Sequence, residues 1–124
     1  PRAGVRLTDE RPCRAAGCKE KDMPNRTLLP ENRIREALPD LPGWEYVDNR
    51  LRKDFRFPDF VTAWAFLSGC AIHAQAIDHH PNWSNAYDRV SIELWTHDAG
   101  GVSGMDLELA RRIEELSRRI PPEA

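Results

Sequence analysis

The chain has 124 residues, enough for one domain with a modest core. Apolar residues are 40% and charged residues 31%, and a formal net charge of -2 gives no global electrostatic case for nucleic acid or an anionic membrane. No apolar run approaches the roughly 20 residues of a membrane-spanning helix, and the first residues hold no apolar signal-peptide core.

Residues 1–27 have no sustained hydrophobic period and are rich in Arg, Lys, Asp, Glu, Pro and Gly. They read as an extended or partly disordered arm, followed by one domain over 28–124. Cys13 and Cys18 lie in the arm and read as free thiols, since no second pair completes a metal knuckle nearby. Cys70 reads as a small core residue. An odd count of three cysteines points to a reducing compartment, so the expected location is cytoplasmic.

Pro30 suits the first turn of a helix, and Ile34, Leu38 and Leu41 follow at helical spacing until Pro39 and Pro42-Gly43 end it. Trp44 to Val47 reads as a short strand and Asp48-Asn49 as a turn. From Leu51 to Phe57, apolar and polar residues alternate with period two, which predicts a half-buried strand paired with the first in a hairpin. Pro58 stops that strand and Asp59 caps a helix predicted to run from Phe60 to about Asp78. Its predicted inner face is Phe60, Ala63, Trp64, Leu67, Ala71 and Ala74. His73 projects from another face and reads as exposed.

Pro81 biases His80 to an extended conformation, so the chain turns at His79-His80. Ser84 to Tyr87 reads as a strand, and Asp88-Arg89 as its turn or as a polar break in one long strand. Val90, Ile92 and Leu94 alternate with Ser91, Glu93 and Trp95 in another half-buried strand. His97 ends it on the parity of Glu93 and Trp95. Asp98 to Gly101 is a loop. Ser103 and Asp106 make a capping box for a last helix through Leu109, Ile113, Leu116 and Ile120, ended by Pro121-Pro122. Helices and strands in this order favour an α+β fold, an antiparallel sheet with helices packed on one face.

Three of the four histidines fall in Asp78-His79-His80-Pro81-Asn82-Trp83 and Trp95-Thr96-His97-Asp98. Imidazole titrates closest to neutrality of all side chains, with an unperturbed pKa of about 6.5. Trp83 and Trp95 offer flat walls for a planar ring, and Asp78, Asp98 and Asp106 are carboxylates that can orient imidazoles. Spacing alone leaves three readings open: a hydrogen-bonded structural corner, a three-histidine zinc site, or a metal-free acid–base pocket. No HxH or HxxxH spacing supports the zinc reading.

The set Asp78-His79-His80-Pro81-x-Trp83, Tyr87, Thr96-His97 and Asp106 resembles the signature of the pterin-4a-carbinolamine dehydratases. Asp54-Phe55-Arg56-Phe57, Phe60-x-x-Ala63-x-x-Phe66, His97-x-x-Gly100-Gly101-x-Ser103 and Leu109-Ala110 are similar to it as well. The resemblance covers roughly residues 28–118. It implies a four-stranded antiparallel sheet in a two-layer α/β sandwich, and a homodimer or homotetramer. It also implies a hydro-lyase that removes water from a 4a-hydroxytetrahydropterin to give the quinonoid dihydropterin, in tetrahydrobiopterin recycling. No metal, cofactor, membrane or direct nucleic-acid contact is implied.

By the same resemblance His79 and His97 are the acid–base pair, His80 mainly contacts the pterin, and Asp78, Trp83, Thr96 and Asp106 line or brace the pocket. Trp83 has a rival role in the core. One position departs from the family pattern. Four residues before His79, where an acidic residue is usual, stands Gln75. An amide orients an imidazole but does not stabilise its cation by charge. The expected result is a weaker dehydratase or a pH optimum shifted downward. The alternative function is a weakly active or non-catalytic member that acts as a dimerisation cofactor for a transcription factor.

Overall fold

The computed structural model describes residues 26–120. The expectations for Cys13, Cys18, the Pro121-Pro122 stop and most of the arm lie outside them. Three helices, α1 (Glu31–Ala37), α2 (Phe60–Ala76) and α3 (Gly104–Arg118), pack on a four-stranded sheet. The strands are β1 (Glu45–Val47), β2 (Arg50–Arg56), β3 (Asn82–Ala86) and β4 (Arg89–Leu94). Their order is β1-β2-β4-β3 and every pairing is antiparallel. This is the α+β fold expected.

The hairpin β1–β2 closes through Asp48-Asn49, both with positive φ. Asx side chains tolerate that conformation, and it matches the twist of the flanking strands. The other hairpin, β3–β4, turns at Tyr87-Asp88, so the second of the two sequence readings gives way to the strand pair. Alternation along β2 and β4 buries Leu51, Phe55, Val90, Ile92 and Leu94 against the helices. It turns Arg52, Asp54, Ser91 and Glu93 outward.

Asp59 caps α2 with its side chain, accepting from the Thr62 amide at 2.8 Å. Phe66 is fully buried at the centre of α2, its ring 4.9 Å from Phe55 and 4.8 Å from Phe57. Burying such a ring contributes about 1.5–3 kcal/mol. The inner face of α2 differs from the one expected. It is Ala63, Phe66, Leu67, Cys70 and Ala74, while Phe60, Trp64 and Ala71 face outward. The helix is apolar nearly all round, so its periodicity does not choose a stripe. Close packing chooses it: small Ala63, Cys70 and Ala74 let the helix approach the sheet around Phe66. Burial pushes the Cys70 thiol up to about 12, which keeps it an uncharged core residue at neutral pH. His73 is half-buried rather than exposed.

At the far end from the histidines, the buried Glu114 of α3 accepts from Trp44 Nε1 at 3.0 Å and Lys53 Nζ at 2.9 Å. This ties α3 to the β1–β2 hairpin. Next to α3, Leu29 N–H donates to the Val102 carbonyl at 2.9 Å, so the chain just before α1 joins the body there.

Candidate active site

The site forms where α2 ends, β4 ends and α3 begins. α2 closes in a Schellman turn: Asp78 N–H donates to Gln75 O at 3.1 Å and His79 N–H to Ala74 O at 3.0 Å. Asp78 occupies the left-handed position usually given to glycine, with φ 53. The turn reverses the chain within two residues and sets His79 against the N-terminus of α3, while Pro81 leads into β3.

His79 is buried, and its Nε2 donates to Asp106 Oδ1 at 2.6 Å. Asp106 is itself fully buried. Its Oδ2 accepts from Thr96 Oγ1 at 2.9 Å and from the Ser103 amide at 2.8 Å. Ser103 Oγ lies 2.6 Å from Thr96 Oγ1 and accepts from the Met105 amide at 3.2 Å. The capping box expected at Ser103 and Asp106 is therefore present, and the same carboxylate serves both the helix and the histidine. A buried carboxylate with donors on both oxygens is a rigid hydrogen-bonded anchor. It holds the Nε2–H tautomer of His79 and leaves Nδ1 with no hydrogen-bond partner among the described residues.

A cavity of about 290 Å³ is lined by Arg26, Asp78, His79, His80, Trp95, Thr96, His97 and Asp98. Six of the sequence-predicted residues thus converge: Asp78, His79, His80, Thr96 and His97 on the wall and Asp106 behind it. Gln75 reaches the site by a different route from the one its position suggested. Its Oε1 accepts from Nε2 of His80, at 3.0 Å, whereas His79 has its own carboxylate in Asp106. Trp83 is half-buried on β3, opposite Ile92, and packs against the core rather than lining this cavity. A larger hollow of about 420 Å³ lies on the outer face of the sheet between Arg52, Asn82, Trp83, Ser84, Ser91 and Glu93. It holds no histidine and its charges oppose one another, whereas the smaller cavity gathers three imidazoles.

Sequence reasoning missed Arg26, whose guanidinium lines the cavity and donates to the Asp78 carbonyl at 2.7 Å. Its place in an aperiodic polar stretch carried no signal. It also took Ser103 for a helix cap alone. Among the described residues, no group of three His, Cys, Asp or Glu side chains is arranged to hold a metal ion. No helix among them is long and apolar enough to cross a membrane.

An α+β domain that gathers three imidazoles and a buried carboxylate round one cavity is equipped to move protons on a small ligand. Residues 27–116 match the family model for pterin 4 alpha carbinolamine dehydratase, and the chain belongs to that family. It is 50% identical over 90 residues to a protein of Synechococcus sp. (strain WH7803), which covers 73% of this chain and 97% of that one. Over 92 residues it is 46% identical to one of Opitutus terrae, covering 73% and 95%. Both relatives carry the name "Putative pterin-4-alpha-carbinolamine dehydratase". Among solved structures it resembles a transcriptional coactivator/pterin dehydratase from Brucella melitensis, with a TM-score of 0.69 and 41% identity over 74% of this chain and 98% of that one.

Proposed function

We propose that the protein is a 4a-hydroxytetrahydropterin dehydratase that works by histidine acid–base catalysis, in tetrahydropterin recycling. The observation that carries this reading is His79, held by a buried carboxylate through one ring nitrogen and lining a cavity shared with His80 and His97. In the reaction the bond from C4a to the hydroxyl oxygen breaks, and the oxygen leaves as water after taking a proton. The neighbouring ring nitrogen loses its proton as the double bond forms. His79 and His97 are the acid–base pair. Asp106 holds the His79 ring in place through the 2.6 Å hydrogen bond to Nε2. His80 contacts the pterin, and Asp78 and Thr96 shape the pocket. The protons are exchanged within the pair and with water, so the cycle uses no metal or cofactor.

The working form is a homodimer or homotetramer in the cytoplasm. The exposed Phe60, Val61, Trp64 and Ile72 on the outer side of α2 support self-association. The same face supports a second reading, a weakly active member that binds another protein, in line with the coactivator description of the Brucella melitensis relative. The loss rate of a 4a-hydroxytetrahydropterin, measured with wild type, His79→Ala and His97→Ala, tests the main reading. Each variant is expected to be slower by about 10²- to 10⁴-fold, the usual contribution of a positioned acid or base. Equal rates for all three would refute it.

A further inference from the structure

Trp95 lines the cavity without a part in the chemistry described so far. It follows β4 on the outer-face parity, with Glu93 two residues before it and His97 two residues after. Two side chains pack on its indole. The His97 ring stacks on it at 4.6 Å between centroids, with 14° between planes. The Arg50 guanidinium carbon lies 4.0 Å from the Trp95 ring centroid. Arg50 Nη1 donates to Glu93 Oε1 at 3.1 Å, which ties the guanidinium down beside the indole. Trp95 is therefore no wall for a planar ligand, as the sequence suggested. It packs against both Arg50 and His97.

The three histidines of the cavity are held in different ways. Hydrogen bonds fix His79 and His80 through one nitrogen each. Among the described residues, the His97 imidazole has no hydrogen-bond partner, and its stacking contact is with Trp95. We infer that Trp95, backed by Arg50 and Glu93, is the positioning residue for His97. Stacking fixes the plane of the imidazole while leaving both nitrogens free to exchange protons. The role in turnover rests on the dehydratase reading. The clamp itself does not.

The test compares Trp95→Phe and Trp95→Leu with wild type. In proton–carbon correlation spectra, the imidazole resonance assigned through His97→Ala is expected to be shifted by the ring current in wild type. It should stay shifted in Trp95→Phe and collapse toward the free-histidine position in Trp95→Leu. In the dehydration assay, Trp95→Leu is expected to lose about tenfold or more in kcat with KM within twofold, as misorientation of an acid or base does. Trp95→Phe should recover most of that loss. An unmoved His97 resonance in Trp95→Leu overturns the clamp. In an active wild type, a leucine variant as fast as the phenylalanine one overturns the role of Trp95 in turnover. Wild type without dehydratase activity would refute the proposed function, and the resonance, which needs no substrate, would then decide the clamp.

Discussion

Asp106 accepts hydrogen bonds from three places in the chain: His79 after α2, Thr96 after β4 and Ser103 before α3. Removing it orphans several buried donors at once. Asp106→Ala is therefore expected to lower stability by about 2–4 kcal/mol, read by urea denaturation, since each unpaired buried group costs its full desolvation. Asp106→Asn keeps the shape but loses the charge opposite His79. The rate of dehydration should fall by about 10²-fold, with much less loss of stability. Gln75 makes a subtler case. Its contact is with His80, so a carboxylate at this position acts on that ring. Gln75→Glu is expected to raise the rate and move the acidic limb of the pH–rate profile. No change in either would show that the family's usual carboxylate is dispensable here.

At the scale of the element, α2 shows what local chemistry settles. Pro58-Asp59 marks its start, and the cap is made by the residue expected. The hydrogen bond from the Thr62 amide lowers the Asp59 carboxyl below its ordinary value of 3.8. A lowered folded-state value means that this contribution to stability is complete above 3.8 and is lost as pH falls through the lower value. Asp59→Asn keeps an acceptor at the cap but no titration. Thermal melts from pH 6 down to pH 2, ordinary buffer conditions spanning the carboxylate range, should show about the same Tm for both proteins near neutrality and a shallower acid decline for the variant. The orientation of α2 about its own axis was not legible. With apolar residues at Phe60, Val61, Trp64, Phe66, Leu67 and Ile72, two stripes compete on composition. The winning stripe is the one that fits round Phe66 and under the sheet.

For the whole molecule, the losing stripe has a consequence. Phe60, Trp64 and Ile72 recur at multiples of four and leave a row of large apolar side chains open to solvent. Self-association through this row predicts that Trp64→Glu lowers the mass measured by sedimentation or light scattering, while the isolated fold stays intact because Trp64 lies outside the core. An unchanged mass would assign assembly to another surface. The histidine cavity lies past the C-terminal end of the same helix, so the row and the cavity can be altered separately by single substitutions.

The sequence by itself determined the order of the elements, the caps at Asp59 and Ser103, the first hairpin turn and the corner at His79-His80, and it left the second hairpin turn open. These rest on contacts within a few residues: Pro and Asx geometry, period two, and reciprocal capping across three positions. The resemblance in its histidine, threonine and aspartate spacings pointed to the family. Only the tertiary structure decided which groups meet across the fold. It gave Asp106 to His79 and Gln75 to His80, moved Trp83 into the packing, brought Arg26 to the cavity and turned Trp95 from a wall into a clamp. Those assignments depend on the pitch of α2 against the sheet and on the register that sets Arg50 beside Trp95. They are set by packing between segments far apart in the chain, which no local pattern records.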